Sequence, residues 1–429
     1  MGALREGPSI SMAEPQPSLN AAAPTPPSAE SAWGPLREPL FRTLWIASVT
    51  SYVGTWMQNM GTGWLMASLT ASPMMVGLVQ AATTLPVFLV ILPAGALADM
   101  VDRRRFLLWS QAWMVAAAAA LGLLTVYGMV SPWSLVLLTF ALGLGAVMND
   151  PAWQAITPEI VSNRRLPSAV ALNSAGYNAA RAVGPALGGL VIALAGSGFA
   201  FLLNAASFFG VIIFLYRWKR VPHEVPEPAK RLRHALATGF RYARGAPTVR
   251  AVLVRTAVFS LFASVIWALL PLVARPHGPI GYGLLLGSFG LGALAGAVLL
   301  PGLRQAFSCD ALVVMATVLF AAVTFAVAQL AAFGWLCAIL FLGGMCWIAI
   351  IATLNVTAQI MCPAWIRART LSMYLLVLQG GMAAGSVLWG AVASRLGMPA
   401  AFLLAALGMM AGLVAALRYR LPAQEMEMG

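Results

Sequence analysis

Apolar stretches of bilayer-spanning length recur along this chain from Phe41 to about residue 420, separated by short polar breaks. They predict spans at roughly 43–69, 74–98, 106–127, 133–157, 168–194 and 199–217, and then at 250–274, 281–303, 311–331, 335–361, 370–394 and 399–417. Each supplies the ~20 apolar residues that one crossing of the hydrocarbon core requires. The pattern therefore predicts an all-α membrane protein of twelve transmembrane helices in two pseudo-symmetric six-helix bundles.

The breaks between spans give the organisation. Residues 1–40 are rich in Pro, Ala and Ser without an apolar run, and are expected to form a disordered cytoplasmic tail. They lack the basic segment and apolar core of a signal peptide. The two bundles occupy 41–217 and 250–420, and 421–429 is a second cytoplasmic tail. In the 218–249 linker, Leu232, Leu236 and Phe240 recur at helical spacing among Arg233, Arg241 and Arg244. That suits a helix lying on an anionic leaflet, and it suits a merely charged linker equally well.

The bundles echo one another. Gln154-Ala155-Ile156-Thr157-Pro158 closes span four and Gln359-Ile360-Met361-Cys362-Pro363 closes span ten, about two hundred residues later. A parallel repeat of this kind is the architecture of alternating-access carriers, with the site between the halves.

Composition agrees with the pattern. Hydrophobic residues make up 60% of the chain and charged residues 9%, against about a quarter charged in soluble proteins. The net charge of +13 does not point to nucleic acid, because the arginines form short clusters between apolar runs rather than one stripe. Arg103, Arg104, Arg105, Arg164, Arg165, the central linker, Arg304, Arg367, Arg369, Arg418 and Arg420 fall on one side, against Arg275 and Arg395 on the other. The positive-inside rule then places both termini in the cytoplasm, and the excess of Arg over Lys together with abundant Ala suits a bacterial source, hence a bacterial inner membrane. Cys309, Cys337, Cys346 and Cys362 show no metal or redox spacing, and the histidines at 223, 234 and 277 are scattered over loops. No metal, cofactor or catalytic constellation is expected.

Span two runs into Gly95-Ala96-Leu97-Ala98-Asp99-Met100-Val101-Asp102-Arg103-Arg104-Arg105. This resembles the loop signature of the major facilitator superfamily between its second and third helices. The resemblance implies a cytoplasmic gate built from Gly95, Asp99 and Arg103, with Asp99 facing the positive end of the eleventh helix and Arg103 holding its carboxylate. Gly184-Pro185-Ala186-Leu187-Gly188-Gly189 in span five is similar to the antiporter motif of that superfamily, although Ala171 and Ala180 replace its upstream glycines. Small residues there let the helix approach a partner from the other half, with Gly283, Gly287, Gly292 and Gly296 of span eight and Gly381 and Gly385 of span eleven answering it. Trp56-Met57-Gln58-Asn59, Asn149-Asp150-Pro151-Ala152-Trp153, Ala171-Leu172-Asn173-Ser174 and Gly281-Tyr282-Gly283-Leu284-Leu285 resemble the transmembrane secretion effector branch, which includes enterobactin exporters.

Charges inside a membrane cost several kcal/mol, so the few present are candidates for function. Asp150 in span four and Arg181 in span five stand out. They can form a structural ion pair, a proton-coupling site or an anion-recognition site. Arg255 sits near the start of span seven and is expected to snorkel to the interface. Thr139 stands where many proton-driven relatives carry an arginine. Gln58, Asn59, Thr62, Trp267, Asn355, Gln359 and Gln379 are the expected substrate-cavity residues.

The expectation is a monomeric secondary transporter, not an enzyme, that exports an amphipathic small molecule (a siderophore, drug or metabolite) by alternating access with proton antiport. A non-transporting membrane receptor or scaffold that keeps the carrier fold is the alternative.

Overall fold

The computed structural model describes residues 33–162, 164–218 and 246–421. Among them are twelve long helices: α1 Pro39–Leu69, α2 Pro73–Met100, α3 Arg103–Val126, α4 Pro132–Ile160, α5 Leu166–Ala195, α6 Ser197–Arg217, α7 Pro247–Val273, α8 Gly278–Ala306, α9 Cys309–Gln329, α10 Phe333–Ile360, α11 Ala364–Leu396 and α12 Met398–Arg418. Every predicted span is matched by one of them. Ten contain segments long and apolar enough to cross a membrane. The other two are α1, diluted by polar residues such as Gln58 and Asn59, and α12, whose described part is shorter.

Local chemistry sets the ends. Proline occupies the first turn of α1, α4, α5, α7 and α8, where its missing N–H costs nothing. Ser131 and Ser134 form a reciprocal capping box at the start of α4. A single glycine joins α5 to α6 and another joins α11 to α12. Gly196 has φ 83° and ψ 165°, and Gly397 has φ 86° and ψ 161°. Such positive-φ corners favour glycine, and their match at equivalent places in the two halves shows the repeat at backbone level.

The halves also pack alike. In the first, α1 lies on α5 and α6, α3 on α6, and α2 on α4; in the second, α7 lies on α11 and α12, α9 on α12, and α8 on α10. Two seams join them, α2 against α11 and α5 against α8.

Glycine decides how close those seams run, and it divides the labour differently from the sequence expectation. A Cβ on Gly283 would fall on the Pro185 carbonyl oxygen, and one on Gly189 would fall on the Pro279 carbonyl oxygen. Gly77 and Gly390 do the same for α2 and α11, facing the Ser386 and Pro73 carbonyl oxygens. Gly287 also faces α5, at Ala182 and Ala186. Gly292 and Gly296, by contrast, pack on Phe341 and Met345 of α10, and Gly381 and Gly385 pack on Ser260, Leu261 and Ser264 of α7. Those four serve contacts within the second half. The motif of α5 is likewise split: Gly184 and Gly188 seat Trp56 and Met57 of α1, while Pro185 and Gly189 face α8. A helix has several faces, and glycine spacing alone does not say which neighbour each one meets.

The expected N-terminal tail ends earlier than residue 40. A 3-10 turn at Gly34–Arg37 precedes α1, and Glu38 is paired with Arg165 at 2.8 Å, at the start of α5. The rest of that tail, the possible amphipathic helix of the linker and the last eight residues lie outside the described residues.

Alanine at Gly283 is expected to force α5 and α8 apart and destabilise the protein by about 1–3 kcal/mol, the usual cost of overpacking. Gly302 has nothing within 4 Å, so alanine there should leave the melting temperature in detergent unchanged or raise it. Equal melting temperatures for the two variants would remove the seam from its assigned role.

Candidate functional site

A cavity of about 380 Å³ lies between the two halves. Trp56, Asn59, Gln80, Thr83, Tyr177 and Arg181 bring polar and aromatic groups to it from α1, α2 and α5. The second half answers with Trp267, Tyr282, Leu286, Phe289, Trp347 and Gln379.

Arg181 is placed by a chain of local choices. The missing side chain at Gly184 admits Trp56 against α5. The Trp56 ring then carries the Arg181 guanidinium 5.6 Å from its centroid, a cation–π contact worth ~2 kcal/mol where water is excluded. Tyr177 closes the group edge-on, 6.2 Å from Trp56 and 5.3 Å from Tyr52. Arg181 Nε is buried and has no hydrogen-bond partner.

Opposite stands an aromatic wall. Trp267 packs at 5.2 Å on Phe289 and 5.8 Å on Trp347, in T-shaped contacts that fix all three rings. The Trp267 indole N–H is a second buried donor without a partner. Both unfilled donors belong to residues that line this one cavity, and each nitrogen is itself covered in this arrangement, so a small turn of either side chain would offer it to an acceptor oxygen.

Asp150 and Arg181 do not form the ion pair that was one expectation. No ion pair involves either residue among the described residues, and Arg181 is held by Trp56 instead. Asp150 is exposed. It lies on the face of α4 that carries Ala146, Trp153 and Thr157, within electrostatic reach of the Tyr52 and Tyr177 hydroxyls. Tyr52, Trp153, Thr157 and Tyr177 line a further cavity of about 420 Å³ toward the arginine-rich ends of α4 and α5. Tyr177 borders both spaces, so the path from those ends to the centre passes it.

The other expected residues divide. Asn59, Trp267 and Gln379 line the central cavity. Gln58 and Thr62 border a smaller space inside the first half. Gln58 is buried and accepts a hydrogen bond from the Asn204 amide, so it serves α1–α6 packing rather than the central cavity. Gln359 donates to Asn355 at 2.6 Å, one turn apart on α10, and neither lines the central cavity. Sequence reasoning missed Trp56, Tyr177, Phe289 and Trp347 as cavity residues, since aromatic side chains in an apolar helix carry no local sign of facing inward.

Arg103 pairs at 2.9 Å with Glu159 near the end of α4. Gly95 and Asp99 belong to a stretch whose side chains lie outside the described residues. Arg104 donates to the Leu215 and Tyr216 carbonyl oxygens at 2.7 Å each, capping the end of α6, where a cation also meets the negative end of the helix dipole. Arg255 does not snorkel: it is buried, pairs with Asp310 at the start of α9 and donates to the Tyr419 carbonyl oxygen. Asp310 sits one residue before the predicted span, which is why the acid was not counted within the second half.

Twelve helices, a repeated six-helix half and a central cavity find their match among known proteins. The sequence profile of the transmembrane secretion effectors fits residues 30–428. The chain belongs to that family. It is 26% identical to the enterobactin exporter EntS of Salmonella choleraesuis over 313 residues, covering 70% of this chain and 75% of that protein. It is also 26% identical to the staphyloferrin A transporter of Staphylococcus aureus over 186 residues, 43% of this chain and 47% of that protein, so the match spans about half the length of that relative. The nucleoside transporter NupG, in a variant form, superposes with a TM-score of 0.74 at 11% identity, over 89% of this chain and all of NupG. A D-xylose–proton symporter superposes with a TM-score of 0.66 at 13% identity, over 87% of this chain and 97% of the symporter. The fold is that of the major facilitator transporters, and the protein is a multi-pass membrane transporter rather than an enzyme.

Gln58→Leu should leave the buried Asn204 amide without its acceptor and cost about 1–3 kcal/mol of stability. Leucine at both positions should recover part of that loss, as read from detergent melting curves. A single variant as stable as the unaltered protein would return Gln58 to the list of transport residues.

Proposed function

We infer that this protein exports an amphipathic small molecule carrying an acidic group across a bacterial inner membrane, by proton antiport and alternating access. The observation that carries this reading is the central cavity, where an arginine with an unpartnered Nε faces an aromatic wall containing a second unpartnered donor. An anionic oxygen gains a charge-assisted hydrogen bond at Arg181, while Trp267, Phe289 and Trp347 take up the apolar body. The relatives named for enterobactin and staphyloferrin A support a siderophore as the cargo.

The arginine asymmetry supports an orientation with both termini in the cytoplasm. In that orientation the close glycine contacts between halves lie toward the outer face or at mid-membrane. Gly77, Gly390, Gly189 and Gly283 are near the outer ends of their helices, and Gly290 against Ala182 and Gly380 against Phe88 are central. The described ion pairs at the cytoplasmic ends stay within one half: Arg103–Glu159, Arg165–Glu38 and Arg255–Asp310. Close contact of the halves toward the outer face supports reading this arrangement as the cytoplasm-open member of the cycle. Export follows when the glycine seams part outside and the gate of Gly95, Asp99 and Arg103 closes inside.

Asp150 is the coupling acid in this reading. An unpaired carboxylate within a span costs ~2.5–3.5 kcal/mol, and taking up a proton removes most of that penalty. Its protonation is thereby tied to which side of the membrane it meets.

Purified protein in proteoliposomes should move iron-free enterobactin or staphyloferrin A against its gradient when a pH difference is imposed. Asp150→Asn should abolish that uphill movement yet retain exchange at equal pH. Arg181→Gln should raise the KM for the anionic probe roughly ten- to a hundred-fold, the ~1.5–3 kcal/mol of a hydrogen bond to a charged group. Full gradient-driven transport by Asp150→Asn would remove that residue from the proton path, and no movement of either probe would overturn the siderophore reading.

A further inference from the structure

The first half encloses a second space, about 150 Å³, walled by α1, α2, α3, α4 and α6. Its lining is uncharged and mixes polar side chains, Thr55, Gln58, Asn59, Thr83 and Asn204 among them, with a larger apolar surface that includes Met114, Ala146 and Phe208. The Thr139 hydroxyl is buried, 5% exposed as a residue, and has no hydrogen-bond partner. A buried hydroxyl without a partner costs free energy unless a ligand supplies the bond. With no charge on the walls, an ion would be poorly compensated there, whereas water fits both the chemistry and the size.

Two borders give this chamber a role. Asn59 and Thr83 line both it and the central cavity, so the two spaces meet at those side chains. On α4, Thr139, Gly143 and Ala146 line the chamber, and Asp150 lies one turn beyond Ala146 on the same face. Side chains on a helix lean toward its N-terminus, which tilts the Asp150 carboxylate back toward the chamber. Among the described residues, the titratable groups near Asp150 are the Tyr52 hydroxyl from α1 and the Tyr177 hydroxyl from α5. Neither is a competing base at neutral pH.

We propose that this chamber holds a cluster of water molecules that carries protons between Asp150 and the central cavity, with the Thr139 hydroxyl as one of its relays. A threonine hydroxyl accepts and donates at once, so a proton arriving on one side leaves on the other with no net change in the side chain. Asp150 then has two routes: the cavity past Tyr52 and Trp153 toward the arginine-rich ends, and the chamber toward the space between the halves. This inference rests on proton antiport as the energy source.

The first measurement needs no transport. Hydroxyl-radical footprinting of the full chain in detergent should oxidise Met114 and Phe208, although both are at most 5% exposed, because radicals form in water held against them. Ala146→Leu fills the chamber and should reduce that labelling at least five-fold. Unlabelled Met114 and Phe208 in the unaltered protein would overturn the proposal.

The second measurement uses proteoliposomes with iron-free enterobactin as the probe. Thr139→Val and Ala146→Leu should slow pH-driven movement at least ten-fold while leaving exchange at equal pH within two-fold. Unchanged pH-driven movement removes the relay, and equal loss of both activities marks the chamber as structural only. If the unaltered protein moves neither enterobactin nor staphyloferrin A, the siderophore reading fails on that ground, while labelling of Met114 and Phe208 that Ala146→Leu removes still upholds the water cluster.

Discussion

Close approach of backbone to backbone along α2–α11 and α5–α8 is the constraint on which the rest of this structure depends. Lipid gives two apolar bundles no hydrophobic reason to associate, so their contact must come from packing at short range. Gly77, Gly189, Gly283 and Gly390 supply it by leaving no side chain between the helices. The same economy acts inside the first half, where Gly184 admits Trp56 and Trp56 in turn holds Arg181. A packing rule at the seam and the position of the central cation thus come from one five-residue stretch, Gly184 to Gly188, and its neighbour Gly189.

The repeat is symmetrical in path and unequal in chemistry. Gly196 and Gly397 turn the chain with nearly the same angles, yet Arg181 and Asp150 have no counterparts in α10 or α11. The second half instead gives Trp267, Phe289 and Trp347, locked by one another. Such a division suits a carrier in which one bundle reads charge and the other accommodates shape. A rigid apolar wall can accept bodies of different outline more readily than a fixed set of hydrogen bonds can.

Much of this was legible in the sequence. Spans of apolar residues gave every helix, because the bilayer sets a length that the chain must meet. Asn59, Trp267, Gln379 and Arg181 border the central cavity, and each stands out in the sequence as a polar or amphipathic group in an apolar helix. Partners were not legible. Nothing local says that Arg181 lies on Trp56 rather than beside Asp150, that Gln58 faces Asn204, or that Arg255 reaches Asp310 and Tyr419. Each depends on helices brought together over 50 residues or more, and helical periodicity carries no information about which neighbour occupies a given face. The glycines of α8 and α11 show the same limit, since half of the span-eight set turned out to face α10.

One hydrogen bond at the edge of the α2–α11 seam bears on how the protein is made. The Met74 amide in the first turn of α2 donates to the Ser394 hydroxyl at 3.0 Å, across 320 residues of sequence, and that hydroxyl donates onward to the Gly390 carbonyl oxygen. A helix start ordinarily finds its acceptor within its own few preceding residues. Here the acceptor emerges from the ribosome on the order of tens of seconds later, at ordinary rates of synthesis. Until α11 is inserted, that hydroxyl is not there to accept from the Met74 amide. The nascent first bundle therefore enters the membrane with one corner unfinished, and the arrival of the eleventh helix completes the second.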